Sequence, residues 1–223
     1  MINIALDGPA GSGKSTVAKK VANKLDILYL DTGAMYRACA LKCLLSGVDV
    51  KDCDGVKKIM NDIDVKVEYK DGSQVTLLDG KDVSSDIRKP EISMMASTVS
   101  AHRFVREKMA EMQRKIANSM DCILDGREIG SYVLPNANFK YYITADSKVR
   151  AERRYKELLE RGEKVDFNKL HEEIIQRDYN DSHREFAPLK RVADAKFIDT
   201  SEMTVDEVVG IIVNDVKEGK SNV

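Results

Sequence analysis

One stretch near the start constrains this chain more than any other: Gly8-Pro-Ala-Gly-Ser-Gly-Lys14-Ser15. It satisfies G-x-x-x-x-G-K-[ST], the loop that cradles phosphates between a strand and a helix. Both flanks fit. Ile2 to Leu6 is an apolar run that reads as a buried parallel strand, and Val17, Val21 and Leu25 recur at helical spacing just after the loop. Glycines let successive backbone N–H groups curl inward onto phosphate oxygens. The helix start adds a partial positive charge at the same place. Lys14 is placed to bridge the outer phosphates and Ser15 to offer its hydroxyl to Mg²⁺. One end of the molecule is therefore expected to hold a nucleoside triphosphate.

The rest of the chain alternates strand and helix. Ile27 to Leu30 reads as a second strand, followed by Asp31-Thr-Gly-Ala-Met-Tyr-Arg37, which opens a helix running to about Ser46 with Gly47 as its stop. A helical stretch spans about Val56 to Ile63. The period then changes to two: Val65, Val67 and Tyr69 alternate with charged residues, Asp71-Gly72 reads as a tight turn, and Val75 and Leu77 alternate again. This predicts a small antiparallel insert. Pro90 suits a helix start, and the helical pattern from Ile92 to Ala117 suggests a bend near Ala101-His102. Strands are expected at Cys122–Leu124, Phe139–Thr144 and Lys196–Ile198. Helices are expected at Ser147–Arg161, from Asp166 to about Arg184, and after the capping box Thr204-Val-Asp-Glu207. The residues from Gly219 on are polar and should fray. The alternation implies an α/β fold with a doubly wound parallel sheet, helices on both faces. Its 223 residues suffice for one domain with a full core.

A net charge of −1 argues against a general nucleic-acid surface, so any further anion site must come from clustered arginines. Cys39, Cys43, Cys53 and Cys122 form no C-x-x-C pair, which disfavours structural zinc and suits reduced thiols in or near the core of a cytoplasmic protein. The first strand begins at residue 2, leaving no room for a signal peptide, and no apolar run reaches membrane-spanning length.

Three features bear on chemistry. Asp125 ends a strand buried in mid-sheet, where an acid commonly helps hold Mg²⁺, often through water. Arg37, Arg127, Arg177 and Arg184 come from distant segments that a doubly wound sheet can bring to one edge, and Arg150, Arg153 and Arg154 share a helix. Guanidinium forks hold phosphate oxygens bidentately, which transfer between two phosphates requires. No histidine or acid is evidently placed as a general base, which favours a phosphate acceptor over an alcohol, because a phosphate monoester is already mostly ionised near neutral pH. Two alternatives stay open: a kinase for an alcohol with Asp125 as base, and a GTP switch using Asn23-Lys-Leu-Asp26, which matches N-K-x-D but lies too early in the chain.

The four stretches Gly8–Ser15, Asp31–Arg37, Asp125-Gly-Arg127 and Arg177-Asp-Tyr-Asn-Asp-Ser-His-Arg-Glu-Phe-Ala-Pro-Leu189, in this order and spacing, resemble the bacterial cytidylate kinases over nearly the whole chain. The resemblance implies a single phosphate-loop kinase domain, with a core of residues 1–62, 90–145 and 166–223, a nucleoside-monophosphate-binding insert at about 63–89 and a lid at about 146–165. It implies transfer of a phosphoryl group from ATP to CMP or dCMP with Mg²⁺, in a cytoplasmic monomer. By position, Gly8, Pro9, Ala10, Gly11, Ser12, Gly13, Lys14, Ser15 and Thr16 hold ATP, joined by Arg150, Arg153 and Arg154 on or beside the lid. CMP falls to Thr32, Tyr36, Arg37, Ser97, Arg106, Asp125, Arg127, Glu128, Arg177, Asp181 and Arg184. Of these, Arg37, Arg127 and Arg184 grip the acceptor phosphate, Ser97, Arg106 and Glu128 read cytosine, and Arg177 and Asp181 bind the sugar. Lys14, Arg127, Arg184 and Arg154 are the expected catalytic set, and Mg²⁺ falls to Ser15, with Asp125 through water. The carboxylate suits cytosine, whose N4 amino group donates; uracil reverses that polarity. At 128 this chain carries Glu where the family usually has Asp, and at 131 Ser where Thr is common.

Overall fold

The computed structural model describes residues 1–70 and 73–219. The Asp71-Gly72 turn and the last four residues lie outside the described residues. Contacts group the chain into two compact units, Met1–Tyr29 with Ala117–Val223, and Leu30–Ile116.

The first unit is built on a five-stranded sheet. Its strands are β1 (Asn3–Asp7), β2 (Leu28–Asp31, in which the chain passes to the second unit), β6 (Cys122–Gly126), β7 (Phe139–Thr144) and β8 (Lys196–Asp199). The order is β2-β6-β1-β7-β8. β1 pairs in parallel with both β6 and β7, and β7 in parallel with β8. The central β1 places Ile4 and Leu6 fully inside, because a parallel strand covered on both faces needs apolar residues throughout. On one side of it α1 (Lys14–Leu25) and α8 (Val205–Lys217) share a core with Ile4, Val17, Val21, Ile123, Tyr141, Val209 and Ile212. The capping box at Thr204 and Glu207 starts α8 as expected. A smaller cluster, Ala151, Leu158, Leu170 and Ile174, joins α6 (Ser147–Glu160) to α7 (Phe167–His183).

The second unit carries α2 (Thr32–Leu45), α3 (Cys53–Asp62), a three-stranded antiparallel sheet of β3 (Val65–Lys70), β4 (Ser73–Leu78) and β5 (Lys81–Asp82), then α4 (Pro90–Val99) and α5 (Arg103–Ala117, to Ile116 in this unit). The expected bend at Ala101-His102 is a break between two helices. Three cysteines are buried, but Cys53 is exposed: it is the first residue of α3 rather than a core residue before it. Among the described residues no helix is long and apolar enough to cross a membrane.

Candidate active site

The phosphate loop begins where β1 ends. Gly8 adopts φ 148°, and a Cβ there would fall 1.9 Å from the Ile143 carbonyl oxygen, so only glycine lets the chain leave β1 so close to β7. Gly11 and Gly13 also hold positive φ, curling the loop toward the start of α1. Lys14 is buried, and its ammonium donates to the Pro9 carbonyl at 2.6 Å and to Ser12 Oγ at 3.2 Å. Gly11, Ser15 and Thr16 face solvent.

The end of β6 lies against this loop. Ser15 Oγ donates to Asp125 Oδ2 at 2.7 Å, and Tyr29 Oη donates to Asp125 Oδ1 at 2.9 Å. A hydroxyl beside a buried carboxylate is the hard-oxygen pairing that suits Mg²⁺, which takes few protein ligands and completes its shell with water and phosphate. Burial, with the nearby charge of Arg127, holds the Lys14 ammonium well below the usual lysine range, against the attraction of Asp125, Asp7 and Asp181.

Just beyond Asp125 the arginines gather. Arg127 Nε donates to Asp181 Oδ2 at 2.8 Å. Arg184 Nη2 donates to Glu128 Oε2 at 2.9 Å, and its Nη1 lies 3.7 Å from Asp181 Oδ1. Arg127, Glu128, Asp181 and Arg184 thus form one network drawn from the end of β6 and the last turn of α7. Burial pushes the Asp181 carboxyl up, but Arg127, Arg177 and Arg184 outweigh it and hold that group below the ordinary carboxylate range. Arg177 lies one turn earlier on α7 and contributes its charge to Asp181.

The three arginines of α6 differ. Arg150 is buried and its guanidinium is taken up by the carbonyls of Ala145 and Ala10 and by Asp178 at 2.6 Å. Arg153 donates to Thr200, and Arg154 pairs with Glu157 at 2.8 Å.

In the second unit, Asp31 caps α2 by accepting from the Ala34 amide at 2.9 Å and pairs with Arg37 at 2.9 Å. Gln74 of β4 clasps the Asp31 backbone: its carbonyl oxygen accepts from the Asp31 amide at 2.8 Å. Thr32 is the first residue of α2. Tyr36 on the same helix lies 5.2 Å beneath the guanidinium of buried Arg106. Ser97 is half-buried on α4. Asn23-Lys-Leu-Asp26 is the end of α1, with Asp26 in the left-handed conformation that stops the helix.

Two residues beside the site escape sequence reasoning. Tyr29 reads as a strand residue, with nothing to mark its hydroxyl. Asp7 is buried, and burial raises its carboxyl to about 6 despite two backbone hydrogen bonds. Its only sequence signal is an acid directly before Gly8.

The pattern of the cytidylate kinase family matches residues 4–218. The cytidylate kinase of Caldicellulosiruptor bescii is 47% identical over 93% of this chain and 92% of its own length. That of Shouchella clausii is 46% identical over 97% and 96%, and that of Lactobacillus johnsonii 44% identical over 100% and 96%. The fold is also similar to the crystal structure of an uncharacterized protein from Eubacterium ventriosum, with TM-score 0.54 and 17% identity over 97% of this chain and 98% of that chain. With a phosphate loop, a strand-end carboxylate and an arginine network in place, and with that match running almost end to end, the chain belongs to the cytidylate kinase family.

Proposed function

We propose that the protein transfers the terminal phosphoryl group of ATP to CMP and dCMP, giving ADP and CDP or dCDP. The observation that carries this is the closeness of two cationic sites in one unit. Ser15 of the triphosphate loop, next to Lys14, donates to Asp125 at 2.7 Å, and two residues beyond Asp125 stands Arg127, which belongs to a separate buried network. Two adjacent cationic sites suit a donor phosphate and an acceptor phosphate that meet. Each would otherwise repel the other, and positioning plus charge neutralisation is most of what phosphoryl transfer needs.

In this reading residues 8–16 bind ATP, aided by Arg153 and Arg154, while Arg150 serves through the Ala10 carbonyl of the loop that it holds. Ser15, with Asp125 through water, would hold Mg²⁺, which would offset phosphate charge. Arg127 and Arg184, with Arg37, take the acceptor phosphate, and the pairs that Arg127 makes with Asp181 and Arg184 with Glu128 hold two of these guanidiniums in place. Thr32, Tyr36, Ser97, Arg106, Glu128, Arg177 and Asp181 serve the CMP base and sugar. The insert at about 63–89 and the lid at about 146–165 close on bound substrates and exclude water. The protein acts as a cytoplasmic monomer. An alcohol acceptor is less well supported, because Asp125 accepts hydrogen bonds on both oxygens.

A panel of nucleoside monophosphates with ATP and Mg²⁺ tests the proposal. CMP and dCMP should show the highest kcat/KM; a preference for AMP or GMP would overturn the base assignment. Activity that survives Arg127→Met and Arg184→Met but is lost in Asp125→Asn would instead favour an alcohol kinase.

A further inference from the structure

Asp7 is a buried carboxylate that no step above uses. It is the last residue of β1, directly before Gly8 of the phosphate loop. Its Oδ1 accepts from the Ile129 amide and its Oδ2 from the Gly130 amide, both at 2.7 Å. Those amides open a turn of π-helix, Ile129–Val133, and the residue before it, Glu128, makes no side-chain cap. Helical turns leave their first N–H groups unsatisfied, and buried N–H groups need partners. Here the cap comes from 122 residues away, across the sheet. Gly130 makes room for it: a Cβ there would lie 3.3 Å from Asp7 Oδ2 and 3.3 Å from Lys140 Cδ.

The consequence falls on the two residues just before the turn. β6 ends at Gly126, paired with Asp7 in the sheet register. The turn capped by Asp7 begins at Ile129. Arg127 and Glu128 are the only residues between, so their backbone is held at both ends by the same residue, once through the strand and once through the carboxylate. From this we infer that Asp7 is a positioning residue for the acceptor nucleotide: it sets the directions in which Arg127 and Glu128 project, while starting the loop that holds the donor. The inference rests on the proposed reading of Arg127 and Glu128 as acceptor-binding groups.

Asparagine tests it, because it keeps the shape but has one acceptor where two amides need one each. In Asp7→Asn one buried N–H loses its partner and faces an NH₂ group. The turn must shift, and Arg127 and Glu128 with it. The loop keeps its own anchors, Gly8 against Ile143 and Lys14 on Pro9. Steady-state kinetics of Asp7→Asn should therefore show KM for CMP raised about tenfold, the size of one lost buried hydrogen bond. KM for ATP should stay within about threefold of wild type, and the thermal midpoint should remain high enough for the assay. Gly130→Ala, whose Cβ crowds Oδ2, should show the same split more weakly, and it serves if Asp7→Asn does not fold. An unchanged KM for CMP in both variants would overturn the inference. So would equal rises for CMP and ATP, or a fall in kcat alone, since these are the marks of general loss of structure. The wild-type column of the same experiment reports separately on the proposed function: without CMP turnover there, the reading itself fails.

Discussion

Replacing Asp181 by alanine isolates the arginine network. Arg127 sits 2.8 Å from Asp181, with side-chain exposures of 19% and 11%. Water can therefore take over only part of the guanidinium that the substitution strands. Arg184 is buffered, because it keeps Glu128 at 2.9 Å. The cost thus falls mainly on Arg127. Breaking a buried pair by removing one partner costs about 3–5 kcal/mol, against a total stability of about 5–15 kcal/mol. For a chain of this length that corresponds to a midpoint lowered by roughly 6–20 °C. Adding Arg127→Met to Asp181→Ala should recover most of the loss, because a buried pair removed whole leaves no stranded charge. The assay is thermal and urea unfolding of wild type, both single variants and the double variant, read as a double-mutant cycle. A loss below about 1 kcal/mol in Asp181→Ala, or a double variant no more stable than that single one, would refute the claim that Arg127 depends on Asp181 for its charge balance.

Three further outcomes follow from the same geometry. Glu128→Asp shortens the arm that reaches Arg184, so it should weaken that pair, cost about 1–2 kcal/mol of stability by the scale of a charged hydrogen bond, and shift the ratio of CMP to UMP turnover; identical stability and ratio would remove Glu128 from both tasks. Tyr29→Phe deletes the hydroxyl that donates to Asp125 and should raise the Mg²⁺ concentration needed for half-maximal rate several-fold, with no change if Asp125 takes no part in holding the ion. The third concerns Asp7, whose carboxyl lies at about 6 in the folded protein against an ordinary 3.8. It is faced by Glu128 just before the turn, Lys14 from α1 and Tyr142 from β7, while the Lys140 ammonium is turned away onto Asp194. A raised folded-state value means that its contribution to stability is full below about pH 4 and is lost as pH rises through about 6. The stability of wild type relative to Asp7→Asn should therefore fall by about 3 kcal/mol over that window, at 1.36 kcal/mol per pH unit. A flat difference across it would show that Asp7 titrates normally.

The parts of the fold that were legible are those written in local periodicity. Alternating strands and helices, the antiparallel insert and the Thr204 capping box all rest on spacings of a few residues, and so does the phosphate loop. What could not be read depends on distant partners. Asp7 meets Ile129 and Gly130 only because β1 and β6 are neighbours in the sheet. Arg150 has the spacing of a helix-face arginine like Arg153 and Arg154, yet it is buried against Ala10 and Asp178, and helical periodicity does not reveal those distant partners. The exposure of Cys53 was missed for a smaller reason: α3 starts three residues earlier than its apolar pattern, at a cap supplied by Asp52. β1 likewise runs one residue past its apolar stretch, and that residue is Asp7.

In the proposed reaction the acceptor offers a phosphate to arginines rather than a hydroxyl to a base. Phosphorus NMR of the wild-type protein with ATP, Mg²⁺ and CMP follows the bond that forms. The predicted result is loss of the CMP monoester resonance and growth of a coupled pair of diphosphate resonances from CDP alongside those of ADP, with cytidine left untouched in a parallel tube. A new monoester resonance on the ribose, or phosphorylation of cytidine itself, would contradict it.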